Sequence, residues 1–180
     1  MPPGPSASLI VGELRRQQTT HVVGLPDNAS KALFERLHEE PGLRVLAVTR
    51  EGEAFAVASG LWAGGAAPVV LIQNTGLLES GDALRGTAMR MRIPLVCLVT
   101  YRGYARWAAS GRGAGEIDGV LLSRPELDST AVLTEPTLRA WGVVFDFLHG
   151  DEDLPKLTAA FEQARSLEQP VAVLVTRDTC

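Results

Sequence analysis

The chain has 180 residues, 46% of them hydrophobic, which is enough to bury a core without metals or disulfides. With 21 acidic against 17 basic side chains and a net charge of −4, it has no broad cationic surface for nucleic acid or an anionic membrane, and no apolar run reaches the roughly 18 residues of a membrane span. Two cysteines, one inside "PLVCLV" and one at position 180, exclude a disulfide scaffold and point to a reducing cytoplasm.

In chain order, "MPPGPSAS" has neither the basic start nor the apolar stretch of a signal peptide, and predicts a disordered leader over 1–8 before a single domain over 9–180. Apolar runs bounded by turn residues then predict strands at 21–25, 44–48, 68–72, 94–99, 143–147 and 170–175. Helix-like segments lie between them. Residues 29–39 carry Ala32, Leu33 and Leu37 on one stripe, 51–63 are rich in alanine, and 79–91 carry Ala83, Leu84 and Met91. Residues 135–141 start at "TEP", which suits Thr134 as N-cap and Pro136 in the first turn, and 152–167 align Leu154, Leu157, Phe161 and Ala164. Several strands are too continuously apolar to be half-exposed, so the pattern predicts a three-layer α/β/α fold around a mainly parallel six-stranded sheet. The exception to the alternation is 101–130, a glycine-rich stretch without periodicity that predicts a long loop.

In such sheets ligands sit beyond the carboxyl ends of the strands, here "GLPDN", "TREGE", "QNTGLLESGD" and "TYRGYAR". Glu51 and Glu53 open the apolar segment 51–63. Carboxylates are at home in a first helical turn, but an acid at a buried helix start must be paired or protonated. "QNTGLLESGDAL" holds too little glycine for a phosphate loop, and neither GxxxxGK[ST] nor GxGxxG occurs. From Arg85 to Arg112 there are six arginines and no acid; Arg102, between a strand and a glycine, is well placed to grip an anion. His21, His38 and His149 lack metal-ligand spacing, which gives no metal site, and no GxSxG elbow is present.

"TREGEAFAVASGLWAGGAAPVVLIQNTGLLESGDAL" followed by "RIPLVCLVTYRG" resembles the pyrimidine-binding domain of thiamine-diphosphate enzymes, and within them the sulfopyruvate and phosphonopyruvate decarboxylase group. The resemblance runs from "HVVGLPDN" to "PVAVLVTRD" and is strongest over 48–103. It implies that Glu51 hydrogen-bonds N1′ of the cofactor's aminopyrimidine, in a desolvated site that keeps a proton available near neutrality. That favours the tautomer whose N4′ removes the thiazolium proton, after which a 2-oxo acid loses CO2 and leaves as an aldehyde. It further implies that Pro26 lines the pyrimidine pocket, and that Gln73, Asn74, Thr75, Gly76 and Leu77 approach cofactor or substrate. Glu53 falls where relatives vary and takes no catalytic role. Arg102 is the candidate for the substrate's second anionic group.

Two departures stand out. Relatives usually continue "GLGN" where this chain has Gly76-Leu77-Leu78-Glu79, and 101–130 lacks the acidic, histidine-containing loop of phosphonopyruvate decarboxylases. The family's Mg2+ and diphosphate are held by a GDG…Asn motif that this sequence does not contain. The resemblance therefore implies a small subunit that builds its active sites with a pyrophosphate-binding beta subunit, in homodimeric or heteromeric assemblies, on a small anionic 2-oxo acid. Carboligation of the acetolactate-synthase kind and a non-catalytic regulatory subunit are the alternatives.

Overall fold

The computed structural model describes residues 3–112 and 117–180. These build a six-stranded, all-parallel sheet from β1 (His21–Gly24), β2 (Arg44–Ala47), β3 (Pro68–Gln73), β4 (Val96–Thr100), β5 (Val144–Leu148) and β6 (Val171–Val175), in the order β2-β1-β3-β4-β6-β5. The helices are α1 (Ala7–Arg16), α2 (Lys31–His38), α3 (Glu51–Ala63), α4 (Asn74–Glu79), α5 (Gly81–Ala83), α6 (Tyr104–Ala109), α7 (Gly119–Leu122), α8 (Ser129–Trp141) and α9 (Leu154–Leu167). Successive side chains of a strand face opposite ways, so each strand feeds two cores. Val23, Val70, Ile72, Cys97, Val99 and Leu174 pack under α3, α4 and α8. Val22, Val69, Leu71, Leu98 and Val173 pack under α1, α2 and α9. β3, β4 and β6 are buried almost throughout, which is why their sequences do not alternate.

The predicted fold class and strands stand, with strand ends moved by one or two residues. The leader is corrected over its described part. Ala7 opens α1, the Ala7 amide donates to the Cys180 carbonyl (2.7 Å), the Cys180 amide donates to the Pro5 carbonyl, and Gly4 packs so closely on the Asp178 backbone that a Cβ would overlap it. The stretch looked like a disordered leader, but backbone pairing with the far end of the chain orders its described part.

The start of α8 is corrected too. Asp128, not Thr134, is the N-cap, its carboxylate accepting from the Thr130 amide at 3.0 Å, so Pro136 stands inside the helix. Thr134 instead donates its hydroxyl to the Thr130 carbonyl one turn back (2.7 Å). The expected helix over 79–91 is two pieces, α5 and a π-helical turn at Leu84–Met89, and it is preceded by α4, which ends at Glu79. The chain breaks at Ser80-Gly81, where a Cβ on Gly81 would come within 2.7 Å of the Trp141 ring. The stretch expected as a loop over 101–130 carries α6 and α7, seated by buried Trp107 and Leu121; its residues 113–116 lie outside the described residues. Among the described residues, no helix is long and apolar enough to cross a membrane.

Candidate active site

The parallel sheet delivers the ends of β1, β2, β3 and β4 to one edge, and every residue singled out for chemistry except Leu77 stands at that edge. Leu77 is 1% exposed and packs in the core with α3 residues. Thr75 is exposed, and its hydroxyl donates to the Gln73 side-chain carbonyl at 3.0 Å.

β2 leaves the sheet through extended Arg50 into α3, which starts at Glu51. The two acids of that first turn do different work. The Glu53 carboxylate turns back to accept from the Thr49 hydroxyl (2.9 Å), the Thr49 amide (3.0 Å) and the Arg50 amide (3.2 Å). The Thr49 contacts, then Arg50, hold that carboxyl below the usual glutamate range. Glu53 is a helix cap. Glu51 is half-buried and lies across Gly76, where a Cβ would overlap its side chain from Cγ to Oε1. Among the described residues, no hydrogen bond or ion pair engages the Glu51 carboxylate. A partly buried acid over a glycine, with its oxygens free, fits a ligand that offers it a hydrogen-bonding ring nitrogen.

Asn74 is fully buried and its amide is spent inside the protein. Its Nδ2 donates to the Arg102 carbonyl (3.1 Å) and to Thr134 Oγ1 (3.0 Å), and its Oδ1 accepts from the Arg102 amide (3.2 Å). Through these bonds Asn74 ties α4 to the chain just past β4 and to α8. Arg102 is likewise committed, its Nε donating to Asp128 Oδ2 at 2.7 Å. Burial pushes the Asp128 carboxyl up, but Arg102 and the Thr130 amide outweigh it and hold the group below the ordinary aspartate range. Burial, then the Glu135 carboxylate, pushes the neighbouring Tyr101 and Tyr104 phenols up.

Gln73 and Arg102 share a cavity of about 1040 Å3, with Asp27, Arg106 and Arg177 also on its wall. Pro26 lies elsewhere, on a smaller hollow of about 390 Å3 against α2, and Asp27 lines both. Sequence reasoning missed Asp27 and Arg177. The Asp27 carboxylate collects Thr100 Oγ1 (2.7 Å), Ser30 Oγ (3.0 Å) and the Ala29 amide (2.7 Å), joining the β1 turn to the end of β4. Arg177 stands two residues past β6 as Arg102 stands two past the adjacent β4, a register readable only once those strands are known to be neighbours. Its guanidinium donates to the His149 carbonyl at 3.1 Å.

The model of the thiamine pyrophosphate enzyme N-terminal TPP binding domain matches residues 6–120, well over half the chain. The chain belongs to this family. The TPP-binding domain is 39% identical over 98 residues to a phosphonopyruvate decarboxylase of Streptomyces viridochromogenes, covering 54% of this chain and 24% of that protein. It is 25% identical over 155 residues to sulfopyruvate decarboxylase subunit alpha of Methanococcus maripaludis, covering 86% of this chain and 84% of that one. In fold it is similar to benzoylformate decarboxylase of Polynucleobacter necessarius, with a TM-score of 0.68 at 21% identity over 94% of this chain and 29% of that one. The chain thus spans about a quarter of the phosphonopyruvate decarboxylases it matches and most of the sulfopyruvate subunit.

Proposed function

We propose that this TPP-binding domain is the small, pyrimidine-binding subunit of a two-chain decarboxylase that removes CO2 from a short 2-oxo acid carrying a second anionic group, such as sulfopyruvate or phosphonopyruvate. The single observation that carries the reading is the half-buried Glu51 carboxylate, laid across Gly76 at the edge of the sheet and unpartnered among the described residues. The names of the relatives support the substrate class, and the name "subunit alpha" supports a partner chain.

Thiamine diphosphate, when bound, supplies the electron sink that decarboxylation of a 2-oxo acid needs. In this reading Glu51 holds a proton toward N1′ of the aminopyrimidine, which Gly76 admits to close range, while Gln73, Thr75 and the Pro26 turn line the approach. Asn74 acts from behind, fixing the backbone of Arg102. Arg102, with Arg106 and Arg177 on the same cavity wall, gives the edge its affinity for the substrate's anionic groups. Mg2+ and the diphosphate fall to a beta subunit carrying a GDG…Asn motif. A surface for that subunit lies along α3, which is apolar on nearly every side yet leaves Val57 and Trp62 38% and 37% exposed. The assembly would work in the cytoplasm, where the free thiols of Cys97 and Cys180 persist.

The test is co-purification with a GDG-containing chain, addition of thiamine diphosphate and Mg2+, and assay of CO2 from sulfopyruvate, phosphonopyruvate and pyruvate. Turnover is expected only in the mixture and fastest with an anionic substrate. Glu51→Gln should lower it by on the order of 10²–10⁴-fold while circular dichroism and assembly stay unchanged. A fully active variant, or a complex that condenses two substrates without the expected aldehyde, overturns the reading.

A further inference from the structure

The cavity that Gln73 and Arg102 share has three arginines on its wall, and the structure treats each differently. Arg102 is paired with Asp128 at 2.7 Å, so its charge is largely spent, and its side chain is 57% exposed. Arg106, on α6, is exposed, and among the described residues no hydrogen bond holds its guanidinium, so gripping a ligand would cost it its rotamer freedom. Arg177 is half-buried just past β6. Its Nη1 donates to the His149 carbonyl at 3.1 Å and reaches the Pro3 carbonyl at 3.5 Å. Both are neutral acceptors, and among the described residues no carboxylate pairs with this guanidinium. It is fixed in place with its charge uncancelled. Of the other acids on the wall, Asp27 is held by Thr100 and Ser30, and Asp178 is exposed. The Tyr104 phenol shares the wall, and the Arg177 charge opposes the rise that burial and Glu135 give it.

We propose that Arg177 is the residue that reads the substrate's second anionic group, and that the amino-terminal residues 3–6 position it. A fixed, half-buried cation gains more from an anion than a paired or mobile one, because binding neither breaks an ion pair nor freezes a free side chain. The segment that carries the Pro3 carbonyl is itself part of the cavity. Gly4 lies on its wall and packs so tightly on the next residue after Arg177 that a Cβ would come within 2.0 Å of the Asp178 carbonyl oxygen. The Ser6 amide donates to Asp151 Oδ1 at 2.7 Å, and the Cys180 amide donates to the Pro5 carbonyl at 3.3 Å. Residues 3–6 are thereby pinned both to the turn before α9 and to the chain after β6, with Arg177 between. The choice of a doubly anionic substrate rests on the proposed function; the anion subsite at Arg177 does not.

The test is an NMR titration of the full 15N-labelled chain, following the backbone amides of the cavity wall, with sulfoacetate as a doubly anionic probe and acetate as the control. Sulfoacetate should shift them saturably and bind more tightly than acetate. Arg177→Gln should weaken sulfoacetate by on the order of 10–100-fold, and far more than it weakens acetate. Arg177→Lys keeps the charge without the planar fork and should fall between. Arg102→Gln and Arg106→Gln should each cost less than Arg177→Gln. Gly4→Ala, or removal of residues 2–5, should weaken sulfoacetate while circular dichroism stays unchanged. No saturable shift, or a larger loss at Arg102 or Arg106, overturns the subsite; segment variants that bind as the wild type does overturn the positioning. Should Arg177→Gln fail to fold, Arg177→Lys is set against Arg102→Lys, and the larger loss must again fall at Arg177. In the assembled decarboxylase Arg177→Gln should raise KM for sulfopyruvate far more than for pyruvate. A chain that binds sulfoacetate through Arg177 but releases no CO2 with any GDG-containing partner overturns the proposed function and leaves the subsite standing. A working decarboxylase whose KM for sulfopyruvate is indifferent to Arg177→Gln does the reverse.

Discussion

The mouth of α3 and the end of β4 lie on the same edge of the sheet and use their polar residues in opposite ways. At β4, the buried Asn74 amide is spent on Arg102 and Thr134, and Arg102 is spent on Asp128. At α3 the same consumption happens to Glu53 and Glu79, but it stops at Glu51, whose carboxylate lies over a glycine. Desolvating a polar group without a partner is costly, so a half-buried carboxylate with no partner among the described residues suits a site where a ligand supplies the hydrogen bond. At the β4 end the polar groups brace one another, with Arg102 still on a cavity wall, while the α3 mouth leaves one carboxylate unengaged among the described residues.

Gly76→Ala should break this contrast most severely. The added methyl falls on Glu51, so activity of the assembled enzyme should drop as far as in Glu51→Gln, and overpacking should cost about 1–3 kcal/mol of stability by denaturant melts. Activity that survives in Gly76→Ala would mean that Glu51 works from another position. Asn74→Ala tests the braced side. It strands both backbone groups of Arg102, so stability should fall by about 1–3 kcal/mol, and KM for an anionic substrate should rise through a displaced Arg102. Unchanged melts would remove Asn74 from the frame.

Asp128→Asn is the mildest change, since an asparagine oxygen can still cap α8. The Asp128 carboxyl is held down in the folded chain, so its contribution is present above the ordinary aspartate range and is lost as pH falls through the lower, folded value. Below about pH 4 the wild type should therefore lose stability relative to Asp128→Asn. The difference should stay under about 1 kcal/mol, because Arg102 is 57% exposed and solvent screens the pair. Thermal melts at neutral and acid pH read it directly, and parallel curves for the two proteins would show that the pair carries no measurable weight.

Much of the molecule is legible in the one-dimensional chain because its signals are local. Continuous apolar runs between turn residues mark buried parallel strands, and "TRE" running into an alanine-rich helix marks both a strand end and the acid beyond it. What was misread was decided at a distance. The leader gained order from Cys180, more than 170 residues away, and Thr134 lost its N-cap role because Asp128 reached Thr130 first and Asn74 took the threonine hydroxyl. Arg102, free by its setting in the sequence, is paired by an acid 26 positions on.

The sequence by itself determined that strands and helices alternate, where their carboxyl ends lie and that Glu51 stands at one of them, since periodicity and turn chemistry act over a few residues. Only the tertiary structure decided which of the edge's polar groups remain available. That choice depends on which side chains converge from separate elements and satisfy one another first, and no local pattern encodes it.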